Sequence, residues 1–306
     1  MCFCYRLSSN DRASCVESLV STKLCSITLT HVKDHYFILS IQDERRKNPV
    51  FSGTETYKST NYMYKPFLKH LEQSLLQRFT LQSSPIPMGL DYKVSERGKQ
   101  PATIQSWCHQ CPEFRKIRYT YIDAGTSAQI FNSVIYPNHH YELPLLGIDF
   151  LSFGQVKNLI VMDFQPLFQD EAYLKKYISP LKALHDQYPD LAQDLEMKFY
   201  DSNQYFSRYL LFAKTDPETV RTRVFEAFKD YLNLYWQMLD EATPLNDPED
   251  IQRIVKAQKD YDQYSADRDP ASGLFSSYFG HEWSEQFLYG FLFEDAIPLA
   301  ATLVRK

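Results

Sequence analysis

The chain has 306 residues, with 33 Lys and Arg against 38 Asp and Glu, a formal net charge of -5 and 44% hydrophobic residues. This length can bury a large core, as one large domain or two small ones. The negative charge without a basic run argues against nucleic acid as the main partner, because binding to phosphates needs clustered Lys and Arg. Only nine glycines occur, none close enough to another for G-x-G or a phosphate-binding loop, which argues against dinucleotide and Walker-type sites.

The longest apolar run near the N-terminus, residues 36–41, is far shorter than the roughly 20 residues of a membrane span, so we expect a soluble protein. Six cysteines are too few for a disulfide scaffold of this length, and four of them lie in the first 25 positions. A reducing compartment is therefore expected.

Residues 1–62 differ from the rest of the chain, because they mix Cys, Ser and Thr with scattered charges and have no strong period. Three interpretations stay open for this extension: a disordered tail, a targeting segment, or translated sequence upstream of a true start at Met63. The acidic residues within it count against a transit peptide without excluding one. We expect residues 63–306 to form the folded domain.

The folded region is expected to open with a helix after Met63, since apolar residues recur at helical spacing from Phe67 to Phe79. Strand-like runs then follow, separated by short turns that leave no room for crossover helices. They therefore predict an antiparallel meander. These runs are Thr103–His109, Glu113–Asp123, Ala128–Tyr136, Leu145–Phe153 and Asn158–Gln165.

The second half of the chain is mostly helical in pattern. A helix over Asp170–Tyr188 is expected to kink at Pro180, and Tyr205–Ala213 is a last strand candidate. Later helices are predicted from an Asp at the cap followed by Pro, at positions 216–217, 247–248 and 269–270, and a final helix over His281–Phe293. The pattern is typical of an α+β fold, a three-layer α/β/α sandwich in which helices flank a central antiparallel sheet.

The sequence gives little support for a metal site or for a catalytic nucleophile. Cys108 and Cys111 have the spacing of half a zinc site without a second pair, and His139 and His140 are adjacent, so on a strand they point to opposite faces. No G-x-S-x-G is present, and no cysteine of the folded region has a setting that would activate it. We therefore predict no metal site, which leaves carboxylates as the candidate reactive groups.

Asp149 is the most informative carboxylate, because its strand is otherwise almost entirely apolar. Loss of hydration on such a face raises the pKa of a carboxyl group and makes it a plausible proton donor near neutral pH. The alternative is a buried Asp that a backbone or Arg partner satisfies. Asp163 has the same surroundings one strand later and is the rival for a structural role.

Asn132 shares a strand face with apolar neighbours, so its amide is either a satisfied core group or part of a pocket beside the Asp149 strand. Asp269 resembles a helix cap, and backbone N–H donors should lower its pKa, which is the wrong direction for an acid. The many aromatic residues usually indicate core, although a large planar ligand between sheet and helices would need such a lining.

Taken together, a set of motifs from about Met63 to Phe293 resembles the ferredoxin-dependent bilin reductases, and residues 1–62 take no part in this resemblance. The matching segments are Ser106-Trp107, Pro112-x-Phe114-Arg115, Asp123-Ala124-Gly125, Asn132-Ser133-Val134-x-Tyr136-Pro137, Leu146-Gly147-x-Asp149, Asp163-Phe164-Gln165-Pro166-Leu167, Gln169-Asp170, Asn203-Gln204-Tyr205-Phe206-Ser207, Tyr264-Ser265-Ala266-x-Arg268-Asp269-Pro270-Ala271-x-Gly273-Leu274-Phe275, Phe279-Gly280-x-Glu282-Trp283, Phe287-Leu288 and Phe291-Leu292-Phe293.

The resemblance implies a fold that holds biliverdin IXα between the sheet and the C-terminal helices. Electrons would arrive singly from reduced ferredoxin, with no flavin or metal bound, and reduction would pass through protein-bound bilin radicals. It implies catalytic roles for Asp149 and Asp269, and substrate contacts for Asn132, Gln165 and Arg268.

Two departures bear on the reaction that the resemblance implies. Where phycocyanobilin-forming relatives have a strand His, this chain has Asn132, and Thr120 replaces their upstream Glu. These departures favour a single two-electron reduction of the 15,16 methine bridge to 15,16-dihydrobiliverdin, a step of phycobilin biosynthesis leading to phycoerythrobilin. The alternatives are another reductase of the family, such as one forming phycoerythrobilin itself, or a non-catalytic bilin carrier.

The expected partners are biliverdin IXα, acidic ferredoxin and a downstream reductase that takes over the product. The expected location is the cytoplasm of a cyanobacterium or the plastid stroma of an alga. Basic residues should surround the pocket mouth, where they would bind the propionates and ferredoxin. The candidates are Arg115, Lys116, Arg118, Lys175 and Lys176, each of which could equally lie on a solvated face.

Overall fold

The computed structural model describes residues 2–5, 25–32, 36–43, 62–97, 100–193, 201, 203–269 and 271–298. The chain divides into two compact units, Met1–Lys58 and Ser59–Lys306. No helix among the described residues is long and apolar enough to cross a membrane.

The first unit contains strands β1 (Cys2–Tyr5), β2 (Cys25–Val32) and β3 (Tyr36–Asp43). They form an antiparallel sheet in the order β1-β3-β2. Most of residues 1–62 lie outside the described residues, so the three interpretations of this extension stay predictions.

The second unit is built on a meander of antiparallel strands. Its described strands form an eight-stranded sheet in the order β11-β10-β9-β8-β7-β6-β4, with β5 also paired to β6. The five strands predicted from the sequence lie within one residue of their expected ends, which confirms the meander. The strands are β4 (Gln82–Ser83), β5 (Tyr92–Ser95), β6 (Ala102–Gln110), β7 (Phe114–Asp123), β8 (Ala128–Pro137), β9 (Leu145–Phe153), β10 (Lys157–Gln165) and β11 (Leu211–Thr215).

The helices follow the predicted order. Pro180 does interrupt the helix after Asp170, and Asp216 and Asp247 accept hydrogen bonds from first-turn N–H groups, as their Asp-Pro signature predicts. The helices are α1 (Lys65–Arg78), α2 (Glu171–Tyr173) with a π-helical turn (Leu174–Ile178), α3 (Leu181–Gln187), α4 (Pro217–Thr219) continuing through a π-helical turn (Val220–Val224) into α5 (Phe225–Glu241), α6 (Pro248–Arg268), α7 (Ser272–Phe279), and α8 (His281–Phe287) with a terminal π-helical turn (Leu288–Leu292).

Two local predictions are wrong. The strand expected over Tyr205–Ala213 begins only at Leu211, because the preceding residues form turns in which the Ser207 N–H binds the Asp163 carboxylate instead of a neighbouring strand. Asp269 is not the cap residue of the next helix, which begins at Ser272 with Ala271 as its cap.

The sheet is covered on both faces. Since successive side chains of a strand point to opposite faces, Phe150 and Asp149 face different layers. Phe150 packs edge-on against Phe67 of α1 and Phe228 of α5, with ring centroids 5.2 and 6.1 Å apart. On the other face, Tyr136 packs against Tyr261 of α6. The predicted α/β/α sandwich is thus confirmed.

Candidate functional site

A cavity of about 620 Å³ lies between the second face of the sheet and the layer formed by α6, α7, α8 and the segment that follows α8. Most of its lining is apolar or aromatic, and polar side chains project into it from the sheet and from the end of α6. This is the usual composition of a small-molecule site. Its polar and ionisable lining residues are Arg118, Thr120, Asn132, Asp149, Asp163, Gln165, Lys214, Tyr261, Tyr264, Ser265, Arg268 and Asp269.

The register of the strands brings the central polar residues together. Asn132 of β8 is the partner of Thr120 on β7 and of Asp149 on β9, and Asp149 is the partner of Val161 on β10. Directly paired residues of antiparallel strands place their side chains on the same face, about 5 Å apart. One row across the sheet therefore forms the cavity floor, with the predicted acid beside the predicted amide.

The Asp149 side chain is partly buried and faces the cavity. Its pKa is raised from 3.8 to about 7, chiefly by burial and to a smaller extent by the nearby charge of Asp269, against the lowering effects of a hydrogen bond from Asn132 and of the charge of Arg118. The expected rise in pKa is confirmed. A carboxyl group with this pKa can hold a proton near neutral pH and release it to a bound molecule.

Asn132 connects Asp149 to a buried cation. Its Nδ2 donates to Asp149 Oδ1 over 3.1 Å, and its Oδ1 accepts from Arg118 Nη1 over 2.7 Å. The amide is thus both satisfied and part of the cavity wall, so the two interpretations of Asn132 are compatible.

Arg118 is the main site residue that sequence reasoning misplaced. It was a candidate for the pocket mouth, but only 1% of its surface is exposed and it lines the cavity interior. The sequence does contain a signal for this position. Arg118 lies two residues before Thr120 on the same strand, so the strand period places both side chains on the face of the sheet that lines the cavity.

Asp269 lies just after α6, and its Oδ1 accepts the Ala271 N–H over 2.7 Å. We expected this backbone donor to lower its pKa. The net shift is upward, because burial outweighs both that hydrogen bond and the charge of Arg118. The helical layer, which the strand pattern could not reveal, thus makes Asp269 a second candidate acid.

Gln165 and Arg268 both line the cavity, in different settings. Gln165 is buried and its Oε1 accepts from the Tyr261 hydroxyl over 2.7 Å. Its amide lies over Gly147, where any side chain would begin 2.7 Å from it. Arg268 is exposed, with its guanidinium 4.3 Å from the Tyr264 ring centroid.

Asp163, the structural rival, also has its pKa raised by burial to about 7. Its carboxyl group accepts the Ser207 N–H over 2.6 Å and the Ser207 hydroxyl over 2.5 Å. These two bonds attach the segment before β11 to β10, so Asp163 has a structural role.

The other basic candidates divide between interior and surface. Arg115 hydrogen-bonds Gln258 and Lys116 contacts Glu294, and Lys116 is only 4% exposed, so the expectation that they surround the pocket mouth is wrong. Lys175 and Lys176 are exposed. Within the described part of the chain, no three His, Cys, Asp or Glu side chains come together in a way that could hold a metal ion.

Comparisons with known proteins agree on one family. The sequence model of the ferredoxin-dependent bilin reductases matches residues 68–294. A 15,16-dihydrobiliverdin:ferredoxin oxidoreductase from Nostoc punctiforme is 78% identical over 244 residues, covering 80% of this chain and 100% of the relative. The protein of the same name from Gloeobacter violaceus is 71% identical over 238 residues, covering 78% of this chain and 98% of that one.

A crystal structure of phytochromobilin synthase from tomato, in complex with biliverdin, has the same fold. Its TM-score is 0.68 at 21% identity, and the match covers 76% of this chain and 83% of the tomato protein.

Proposed function

The chain belongs to the ferredoxin-dependent bilin reductases, and from that premise we propose that it reduces biliverdin IXα to 15,16-dihydrobiliverdin, with reduced ferredoxin as electron donor. Two relatives with more than two thirds of their residues identical to this chain are named for the oxidation and reduction of 15,16-dihydrobiliverdin with ferredoxin. In phycobilin biosynthesis this product is the precursor of phycoerythrobilin.

The structural observation that carries the proposal is the position of the Asp149 carboxyl group on the floor of a largely apolar cavity of about 620 Å³, where burial raises its pKa. This volume falls within the range of about 300 to 1,000 Å³ that is usual for small-molecule sites. A planar tetrapyrrole ring system fits the apolar and aromatic lining, and its reduction requires protons that a side chain held against the ring system can supply at a fixed position.

The reaction balances with two electrons and two protons for each biliverdin. Each reduced ferredoxin gives one electron and is oxidised, so a protein-bound bilin radical forms between the two transfers. The double bond between carbons 15 and 16 becomes a single bond, and each of these carbons gains a hydrogen. In our proposal Asp149 supplies one proton and Asp269 the other.

The two carboxyl groups suit this division of labour. Each charge makes ionisation of the other less favourable, as the contribution of Asp269 to the raised pKa of Asp149 indicates. After one of them has lost its proton, the other therefore holds its own more firmly until the second electron arrives. At this stage the two carboxyl groups carry one negative charge between them, and the positive charge of Arg118 compensates it.

The propionates of biliverdin require cations at the edge of the site. Lys214 and Arg268 line the cavity and are exposed, which suits this role better than Arg115 and Lys116, which are not among the residues that line it. The Gln165 amide, fixed over Gly147 by Tyr261, is a candidate to contact the pyrrole groups.

We further propose that the enzyme works without a bound cofactor and passes its product to a downstream reductase. Its place of action would be the cyanobacterial cytoplasm or a plastid stroma. An absorption spectrum of the purified protein tests the first point, since a flavin or haem would absorb in the visible range and a cofactor-free protein would be colourless.

The function is tested by an anaerobic assay with biliverdin IXα, reduced ferredoxin and a system that regenerates the reductant, followed by chromatography of the extracted pigments. We expect 15,16-dihydrobiliverdin as the final product. Recovery of phycoerythrobilin or another more reduced bilin would overturn the reaction but not the family. Unchanged biliverdin from a coloured complex would instead indicate a carrier.

A further inference from the structure

Arg118 has an unusual environment for an arginine. Its side chain is only 1% exposed, yet no carboxylate of the described residues lies within salt-bridge distance of it. Its Nη1 donates to Asn132, its guanidinium carbon lies 5.2 Å from the Phe293 ring centroid, and its Nε has no hydrogen-bond partner. Burying an unpaired cation is costly, so a function that requires its charge would explain why it stands in the cavity wall.

The guanidinium fixes the orientation of the Asn132 amide. A guanidinium can only donate hydrogen bonds, so the atom of Asn132 that faces it over 2.7 Å must be the carbonyl oxygen. The amide nitrogen therefore points to the opposite side, where it donates to Asp149 Oδ1 over 3.1 Å. With Arg118 removed, the amide could turn round and offer its oxygen to Asp149 instead.

This orientation determines which oxygen of Asp149 can hold the proton. An N–H group directed at Oδ1 favours the carbonyl form of that oxygen, because a carbonyl oxygen accepts a hydrogen bond better than a hydroxyl oxygen, so a protonated Asp149 prefers to hold its proton on Oδ2. A turned amide would instead accept a hydrogen bond from the protonated carboxyl group, and this bond would hold the proton on the oxygen next to Asn132, away from the substrate.

We propose that Arg118 is a positioning residue for the reduction, which acts through Asn132 to hold the transferable proton of Asp149 on Oδ2. This inference rests on the proposed function, because it takes Asp149 as a proton donor. The charge of Arg118 also stabilises the Asp149 carboxylate after the proton has left, since this charge lowers the pKa of Asp149.

Other ionisable groups bear on the same proton. Asp269, in the segment after α6, raises the pKa of Asp149, and the pKa of Tyr64, which precedes α1, is itself raised in part by Asp149. The remaining ionisable lining residues are Asp163, Lys214, Tyr261, Tyr264 and Arg268. Arg118 is the cation among the described residues that acts on both Asp149 and Asp269.

Two substitutions separate the charge from the directed hydrogen bonds. Arg118→Lys keeps a charge but loses the planar fork, whereas Arg118→Met removes both. We expect both variants to bind biliverdin and to lower kcat at least tenfold with little change in KM. In Arg118→Met the alkaline limb of the pH profile should also move up by about one unit, because loss of a nearby cation raises the pKa of the acid. Arg221→Met, at an exposed helix position, is the matched control.

A cycle with Asn132→Leu tests whether Arg118 acts through the amide: in that background Arg118→Lys should cost no further activity. An unchanged kcat and pH profile in Arg118→Met would overturn the proposal, as would a raised KM at constant kcat in both variants. If Arg118→Met does not fold, an unchanged kcat in Arg118→Lys alone overturns it. Asp149→Asn, assayed in parallel, separates the positioning role of Arg118 from the proposed function. Full activity of this variant would refute the role of Asp149 as proton donor, independently of the results for Arg118.

Discussion

Replacing Asp149 with Asn should stabilise the substrate-free protein, although it removes the proposed acid. The folded state raises the pKa of Asp149 from 3.8 to about 7. A raised carboxyl pKa means that the folded state prefers the protonated form. The contribution of Asp149 to the stability of the wild type is therefore fully present below about pH 4 and is lost as the pH rises from there through about 7.

The size of the effect follows from the shift. A difference of about three units at about 1.4 kcal/mol each gives a ceiling of about 4 kcal/mol at pH 8. Because the Asp149 side chain is only partly buried and faces the cavity, we expect about half of this, or about 2 kcal/mol, at pH 8 and less than 1 kcal/mol at pH 5. The Asn side chain carries no charge, so its own contribution does not change with pH.

Urea denaturation of the two proteins, followed by tryptophan fluorescence at pH 5 and pH 8, measures this difference directly. Asp91→Asn, an exposed carboxyl outside the cavity, is the control and should stay within about 0.5 kcal/mol of the wild type at both pH values. A variant that is no more stable than the wild type at pH 8, or equally stabilised at both pH values, would refute the reasoning.

Three further substitutions test the surroundings of the site. Ser207→Ala removes a hydroxyl donor 2.5 Å from the buried Asp163 carboxyl group and should lower the free energy of unfolding by about 2 kcal/mol in chemical denaturation at pH 8, while the folded variant keeps its activity. An unchanged stability would contradict the structural role of Asp163. Gly147→Ala would place a Cβ 2.7 Å from the Gln165 amide and should raise the Kd for biliverdin about tenfold in an absorbance titration, and an unchanged Kd would contradict the close fit. Phe150→Ala empties a fully buried position and should cost about 3 to 5 kcal/mol of unfolding free energy, so a loss below about 1 kcal/mol would mean that the aromatic cluster is loosely packed.

The sheet could be predicted from the sequence because strand signals are local. Alternating apolar residues and short turns define β6 to β10 to within one residue, and short connections require antiparallel neighbours. The strand predicted for the segment before β11 was wrong for the opposite reason. Its backbone is held by Asp163, which lies 44 positions away, and no local pattern reports such a bond.

The same distinction holds for the site. Asp149 and Asp163 have equivalent sequence surroundings and similar pKa values, and only the contact with Ser207 shows that Asp163 has a structural partner. For Asp269 the local signal indicated a cap and a lowered pKa, whereas burial under the helical layer reverses the shift. The catalytic roles of Asp149 and Asp269, and the substrate contacts of their neighbours, stay predictions that the cavity supports.

The central claim is that Asp149 donates a proton to biliverdin. The most direct test loads the wild type and Asp149→Asn with biliverdin under anaerobic conditions and adds reduced ferredoxin for a single turnover, with absorbance followed over time. We predict that both proteins bind the pigment, that the wild type forms 15,16-dihydrobiliverdin, and that the variant stalls before product. Formation of the same product at the wild-type rate in Asp149→Asn would contradict the account.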